Sequence, residues 1–120
     1  MGIGEIANAT HDSESAMSED RYNAIGEALV KKHKAEMSKM FGKPCIKISG
    51  KAFACFFNGD MVFKLDEVSH KKASALKGSK LFDPSGAGRP MKEWVQVKPA
   101  HENEWIKLAE AALKYVQSHT

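Results

Sequence analysis

A chain of 120 residues, 42% hydrophobic and 28% charged, has the length and balance of one ordinary folded domain. Its net charge is only +3, and of its 18 basic residues all but Arg21 and Arg89 are lysines, so the planar arginine forks that read phosphates and base edges are scarce. No apolar run approaches the ~20 residues of a membrane span, two cysteines do not make a disulfide framework, and no histidine stands at a metal-ligand spacing from a cysteine or carboxylate.

Residues 1–17 are small and polar with no sustained period, which predicts a disordered N-terminal arm before a single domain over 18–120. They lack the basic start and apolar stretch of a secretory signal, so a cytoplasmic location is expected. Ser18 suits a helix N-cap, and Tyr22, Ile25, Leu29 and His33 recur at helical spacing. A helix over 19–34 is therefore predicted, ending in the cations Lys31, Lys32, His33 and Lys34 that favour a carbonyl terminus.

Residues 36–65 read as a β-meander: strands at 36–41, 45–49, 52–57 and 60–65, separated by Gly42-Lys43-Pro44, Ser49-Gly50-Lys51 and Asn58-Gly59. Asn-Gly is the preferred dipeptide of a two-residue hairpin. It sets Phe57 opposite Asp60, Phe56 opposite Met61, Cys55 opposite Val62, Ala54 opposite Phe63 and Ala52 opposite Leu65. In the preceding hairpin a slip of one residue would reverse every side chain. A three-residue loop at 49–51 pairs Ile48 with Ala52, Ile46 with Ala54 and Cys45 with Cys55. A two-residue loop is excluded on this pattern, because it sets Lys47 against Ala52 on the core face. One face then carries Ile46, Ile48, Ala52, Ala54, Phe56, Met61, Phe63 and Leu65. The other carries Cys45, Lys47, Phe53, Cys55, Phe57, Val62 and Lys64.

Asp66 caps a predicted short helix over 67–77, with Gly78 at its C-terminal end. A short strand at 79–82, a loop at 83–90 and a strand at 91–97 follow, the last with Met91, Val95 and Val97 on one face and Trp94 on the other. Trp105, Leu108, Ala109, Ala112, Leu113 and Val116 form the cleanest helical stripe, over 100–117. The fold class is thus α+β: an antiparallel sheet, the meander plus a later strand pair, packed against N- and C-terminal helices.

Met40-Phe41-Gly42, the Ser49-Gly50-Lys51 turn, the hairpin from Phe56 to Leu65 and Arg89-Pro90-Met91-Lys92-Glu93-Trp94 together resemble the N-terminal domain of the TfoX competence regulator and the related YjbR-like small bacterial domains. The resemblance spans roughly residues 18–117. It implies an antiparallel sheet against helices, similar to secretion-chaperone architecture, and a regulatory setting. It implies no catalytic residues.

No paired acid and base, and no nucleophile beside a base, stands out, so a non-enzymatic binding or regulatory module without cofactor or metal is the expectation. Its expected contact surface is an apolar patch of Phe53, Phe57, Val62 and Trp94 on the second sheet face, open to a protein partner or a second copy. A second expectation is nucleic-acid binding through Lys31, Lys32, Lys34, Lys71, Lys72 and Arg89. A third is anion binding at the Asp83–Pro90 loop, where Gly86 and Gly88 could offer backbone N–H groups beside Arg89 and Lys92. Cys45 and Cys55, directly opposite one another, are a candidate redox pair.

Overall fold

The computed structural model describes residues 3–118, with side chains from Ser18 onward. Within them lie α1 (Ile3–His33), β1 (Glu36–Met40), β2 (Lys43–Ile48), β3 (Lys51–Phe57), β4 (Asp60–Lys64), α2 (Glu67–Ser74), β5 (Lys80–Phe82), β6 (Met91–Val97), a single 3-10 turn (Pro99–His101) and α3 (Glu102–Ser118). The strands form one antiparallel sheet in the order β1-β2-β3-β4-β6-β5, so the α+β class read from the sequence is the class observed.

α1 begins at Ile3, so the helix covers residues 3–17, where an arm was expected; residues 1 and 2 lie outside the described residues. At its other end Lys34 adopts a left-handed backbone with φ +64° and donates to the Val30 carbonyl, while Ala35 N–H reaches that of Leu29. This turns the chain straight into β1. Three two-residue turns then drive the meander, with both central residues left-handed in each: Phe41-Gly42, Ser49-Gly50 and Asn58-Gly59. That mirror-image turn matches the right-handed twist of paired strands.

The β3–β4 register is the expected one through Ala54 opposite Phe63; β4 ends at Lys64, so the Ala52–Leu65 pair does not form. The β2–β3 hairpin is a correction. It uses the two-residue turn that pattern had excluded, with Ile48 opposite Lys51 and Lys47 opposite Ala52. A β-bulge at Phe53 then restores Ile46 opposite Ala54 and Cys45 opposite Cys55. A bulge sets two residues against one and locally reverses the alternation. Ala52 therefore packs on the outer face beside Lys47 instead of on the core face, and Phe53 joins Ala54 in the core.

The helices cover one face only. α1 lies against β1, α3 crosses β2, β3 and β4, and α2 rests on β6 and α3. The main core between the layers gathers Tyr22, Ile25 and Leu29 of α1, the α3 stripe from Trp105 to Val116, and Ile46, Phe53, Phe63, Val95 and Val97 of the sheet. α1 approaches closely because Gly26 has no side chain: a Cβ there would stand 2.4 Å from Met37 Sδ on β1 and 3.6 Å from Ile46 Cδ1 on β2. α2 is shorter than predicted, but its N-cap is as read, with Asp66 Oδ1 accepting the Ser69 N–H at 2.8 Å. His70 Nε2–H donates to the Lys92 carbonyl at 2.8 Å and fastens α2 to β6.

Candidate functional site

The outer sheet face is already filled. Cys45, Cys55, Val62, Phe82 and Trp94 form a second buried cluster there, flanked by half-buried Met40, Ala52, Phe57 and Met91. Phe82, at the end of β5, reaches across the face: its ring meets Phe57 edge-on at 5.2 Å between centroids and lies 6.4 Å from Trp94. The register break between Leu81 and Phe82 sets Phe82 opposite Met91, and both pack on Trp94's side of the sheet. That corrects Met91, expected with Val95 and Val97. Lys43 Nζ lies 5.6 Å from the Phe57 ring centre and shields its open side.

The four residues expected to form an exposed patch are therefore not one. Phe53 is in the main core, Val62 is fully buried, Trp94 is 6% exposed and Phe57 is half-buried. The outer face is a small second core, its buried members rimmed by half-buried apolar side chains.

Cys45 and Cys55 stand opposite each other as expected, and both are free and buried. Burial pushes the Cys55 thiol up to about 12, with the neighbouring Cys45 adding to the shift. Burial also raises Cys45, and this outweighs the opposing pull of Lys47 and of a hydrogen bond from Ser38. The thiolate is the reactive form, and burial disfavours it at both cysteines.

The 83–90 loop is closed around its own carboxylate. Asp83 Oδ1 accepts from Ser85 Oγ at 2.6 Å and from the N–H groups of Ser85 and Gly86 at 3.1 Å. Its Oδ2 accepts from the N–H groups of Gly88 at 2.9 Å and Arg89 at 3.2 Å. These bonds, that from the Ser85 hydroxyl first, hold the Asp83 carboxyl below its usual range. The amides expected to receive an external anion are thus occupied by an internal one. Arg89 and Lys92 remain exposed, without an ion pair among the described residues.

The lysine-rich surface is divided. Lys31, Lys32 and Lys34 end α1, Lys71 and Lys72 sit on α2 at the far side of α3, and Arg89 is on the 83–90 loop. Lys32 pairs with Glu110 at 3.2 Å and Lys71 with Glu67 at 3.9 Å. Among the described residues no three His, Cys, Asp or Glu side chains converge as a metal site, and no helix is long and apolar enough to cross a membrane.

What sequence reasoning missed lies at the β1 edge. β1 has β2 on one side and, among the described residues, no strand on the other. Along it Phe41 is 62% exposed, Met37 43% and, at the adjoining end of α1, Val30 38%. Phe41 is also the first residue of the β1–β2 turn, with φ +55°. A bulky side chain there is a conformational outlier; such strain of order 1–3 kcal/mol clusters at functional positions. The signal was present as the dipeptide Phe-Gly between two strand-like runs, with an aromatic where a hairpin wants asparagine or glycine.

No family model matches the chain, and no curated protein or solved structure is significantly similar to it.

Proposed function

We propose that this chain is a non-enzymatic, regulatory protein-binding module that meets its partner along the β1 edge and the Phe41 tip. The observation that carries this reading is Phe41, an exposed aromatic in a left-handed backbone at the end of an open strand. An unpaired edge offers a row of backbone donors and acceptors to another strand, and the neighbouring Met37 and Val30 supply apolar area. The contact surface expected from the sequence, the outer sheet face, is filled by Phe82 and Trp94, which leaves the edge as the stronger candidate. A regulatory role agrees with the TfoX-like motifs. Nucleic-acid binding has less in its favour, because its lysines are spread over separate flanks and two of them are ion-paired.

The test is site-specific photocrosslinking in cells, with a benzophenone side chain placed at position 41 or, as a control, at position 68, where Val68 is equally exposed on α2. Adducts from position 41 that are absent from position 68 support the reading. No adduct from position 41 overturns it.

A further inference from the structure

The β1 edge is self-complementary, and we infer that its partner is a second copy of this chain, paired β1 to β1 in antiparallel about a two-fold axis through Ser38. This rests on the proposal that the β1 edge is a binding surface, and adds the identity of what binds.

The argument begins with register. A two-fold axis perpendicular to the sheet keeps each face on its own side, so residues of like parity meet. Centred on Ser38, the pairing sets Glu36 opposite the partner's Met40 and Met37 opposite the partner's Lys39. No like charges face each other. Centring on Lys39 would oppose two lysines, which is unfavourable.

The same register places Phe41 opposite the partner's Ala35, where α1 hands over to β1. Val30 stands at that level, on the side of α1 away from α3: Arg21 and Lys32 point toward α3, pairing with Glu102 and Glu110. Of the five large apolar residues exposed among the described ones, Val30, Met37 and Phe41 therefore fall in one seam, twice over by symmetry. The other two, Val68 and Leu81, are at the opposite end of the sheet.

The helix layer permits this. Gly26 sits over both Met37 of β1 and Ile46 of β2, so α1 lies above the seam between those strands rather than above the edge. With strands about 4.8 Å apart, the two α1 helices would run antiparallel at roughly 10 Å, an ordinary packing distance. The outcome is one continuous twelve-stranded sheet with the helices of both copies on the same face.

Sedimentation velocity over a hundredfold range of concentration tests the inference. The intact chain is expected to pass from monomer to dimer. Met37→Lys sets like charges across the axis and should weaken association at least tenfold, whereas Met37→Glu faces the partner's Lys39 and should retain it. Circular dichroism checks that both variants fold. A chain that stays monomeric throughout overturns the inference, as does a dimer on which the two substitutions act alike. If the chain is monomeric while position 41 still crosslinks to a different protein, the β1 edge stands as a binding surface and only the second copy falls.

Discussion

On the proposed use of the β1 edge, Phe41 brings stability and interaction into opposition in one side chain. Its left-handed backbone is natural for asparagine and costly for phenylalanine. Phe41→Asn is therefore expected to add about 1 kcal/mol of stability, read as a higher urea midpoint, while weakening self-association, a pairing that marks a residue kept for contact. Cys55 offers a pH test of burial. Its folded thiol titrates near 12, above the ~8.5 of an exposed thiol. The folded state therefore holds a proton that the unfolded chain has released, so this contribution is complete below about pH 8.5 and fades as pH rises toward 12. Urea titrations at pH 8 and pH 10.5 should show a loss of up to about 2 kcal/mol that Cys55→Ala largely removes. A thiol reagent should meanwhile label neither cysteine until the chain unfolds. Cys45 opposite Cys55 was legible in the sequence because the apolar pattern of β2 and β3 fixes their rungs, even though the loop read at 49–51 is a two-residue turn compensated by the Phe53 bulge. Their burial was not, since the cluster around them includes Phe82, which arrives from a strand far along the chain.

Among elements, the Asn58-Gly59 hairpin was the most legible and the bulge the least; the breaks read at 42–44 and 49–51 are two-residue turns, Phe41-Gly42 and Ser49-Gly50, with Lys43 and Pro44 already paired in β2. Each turn has glycine in second place, and strand alternation did the rest. The Phe53 bulge has no such signal, as no glycine or proline marks it. A three-residue loop without a bulge and a two-residue turn with one place Ile46 and Cys45 identically, so the apolar pattern cannot separate them below Ile48. The extent of α1 was hidden for another reason: residues 3–17 lack an apolar stripe, the one feature that reveals a helix. α1's approach to the sheet is checked by Gly26→Val, whose branched side chain must displace Met37 and buried Ile46. An overpacking cost of about 1–3 kcal/mol is expected in thermal or urea unfolding. The 83–90 loop is checked by Asp83→Ala. Because its carboxyl is depressed, the loop's order should be intact at neutral pH and decay as pH falls through the folded value. In the variant, amide exchange at Gly88 and Arg89 should be fast at every pH, with the sheet amides unchanged.

For the molecule as a whole, the α+β class followed from periodicity, but the candidate site depended on strand order. Which strand is left at an edge is decided by where β6 and β5 attach, and no local pattern reports that β6 inserts beside β4. The helices cover one face and side chains from the far strands fill the other, which leaves the two sheet edges, β1 with Val30, Met37 and Phe41 and β5 with Leu81, as places where large apolar residues are exposed among the described residues. The divided lysines are a property of the same scale: charges that look like one group in the sequence lie on flanks separated by α3.

The bulge at Phe53 also bears on how this chain tolerates change in length. Phe53 is the surplus residue of β3, so removing it leaves Lys47 opposite Ala52 and Ile46 opposite Ala54, in a strand that alternates regularly throughout. Deleting Phe53 should cost little more than the roughly 3–5 kcal/mol of Phe53→Ala. Deleting Cys55, two positions on, would also absorb the surplus but would move Ala54 from the core face to the outer place of Cys55, opposite Cys45. One codon in this hairpin is expendable in reading frame though not in volume, and a deletion scan read by a folding reporter would find it.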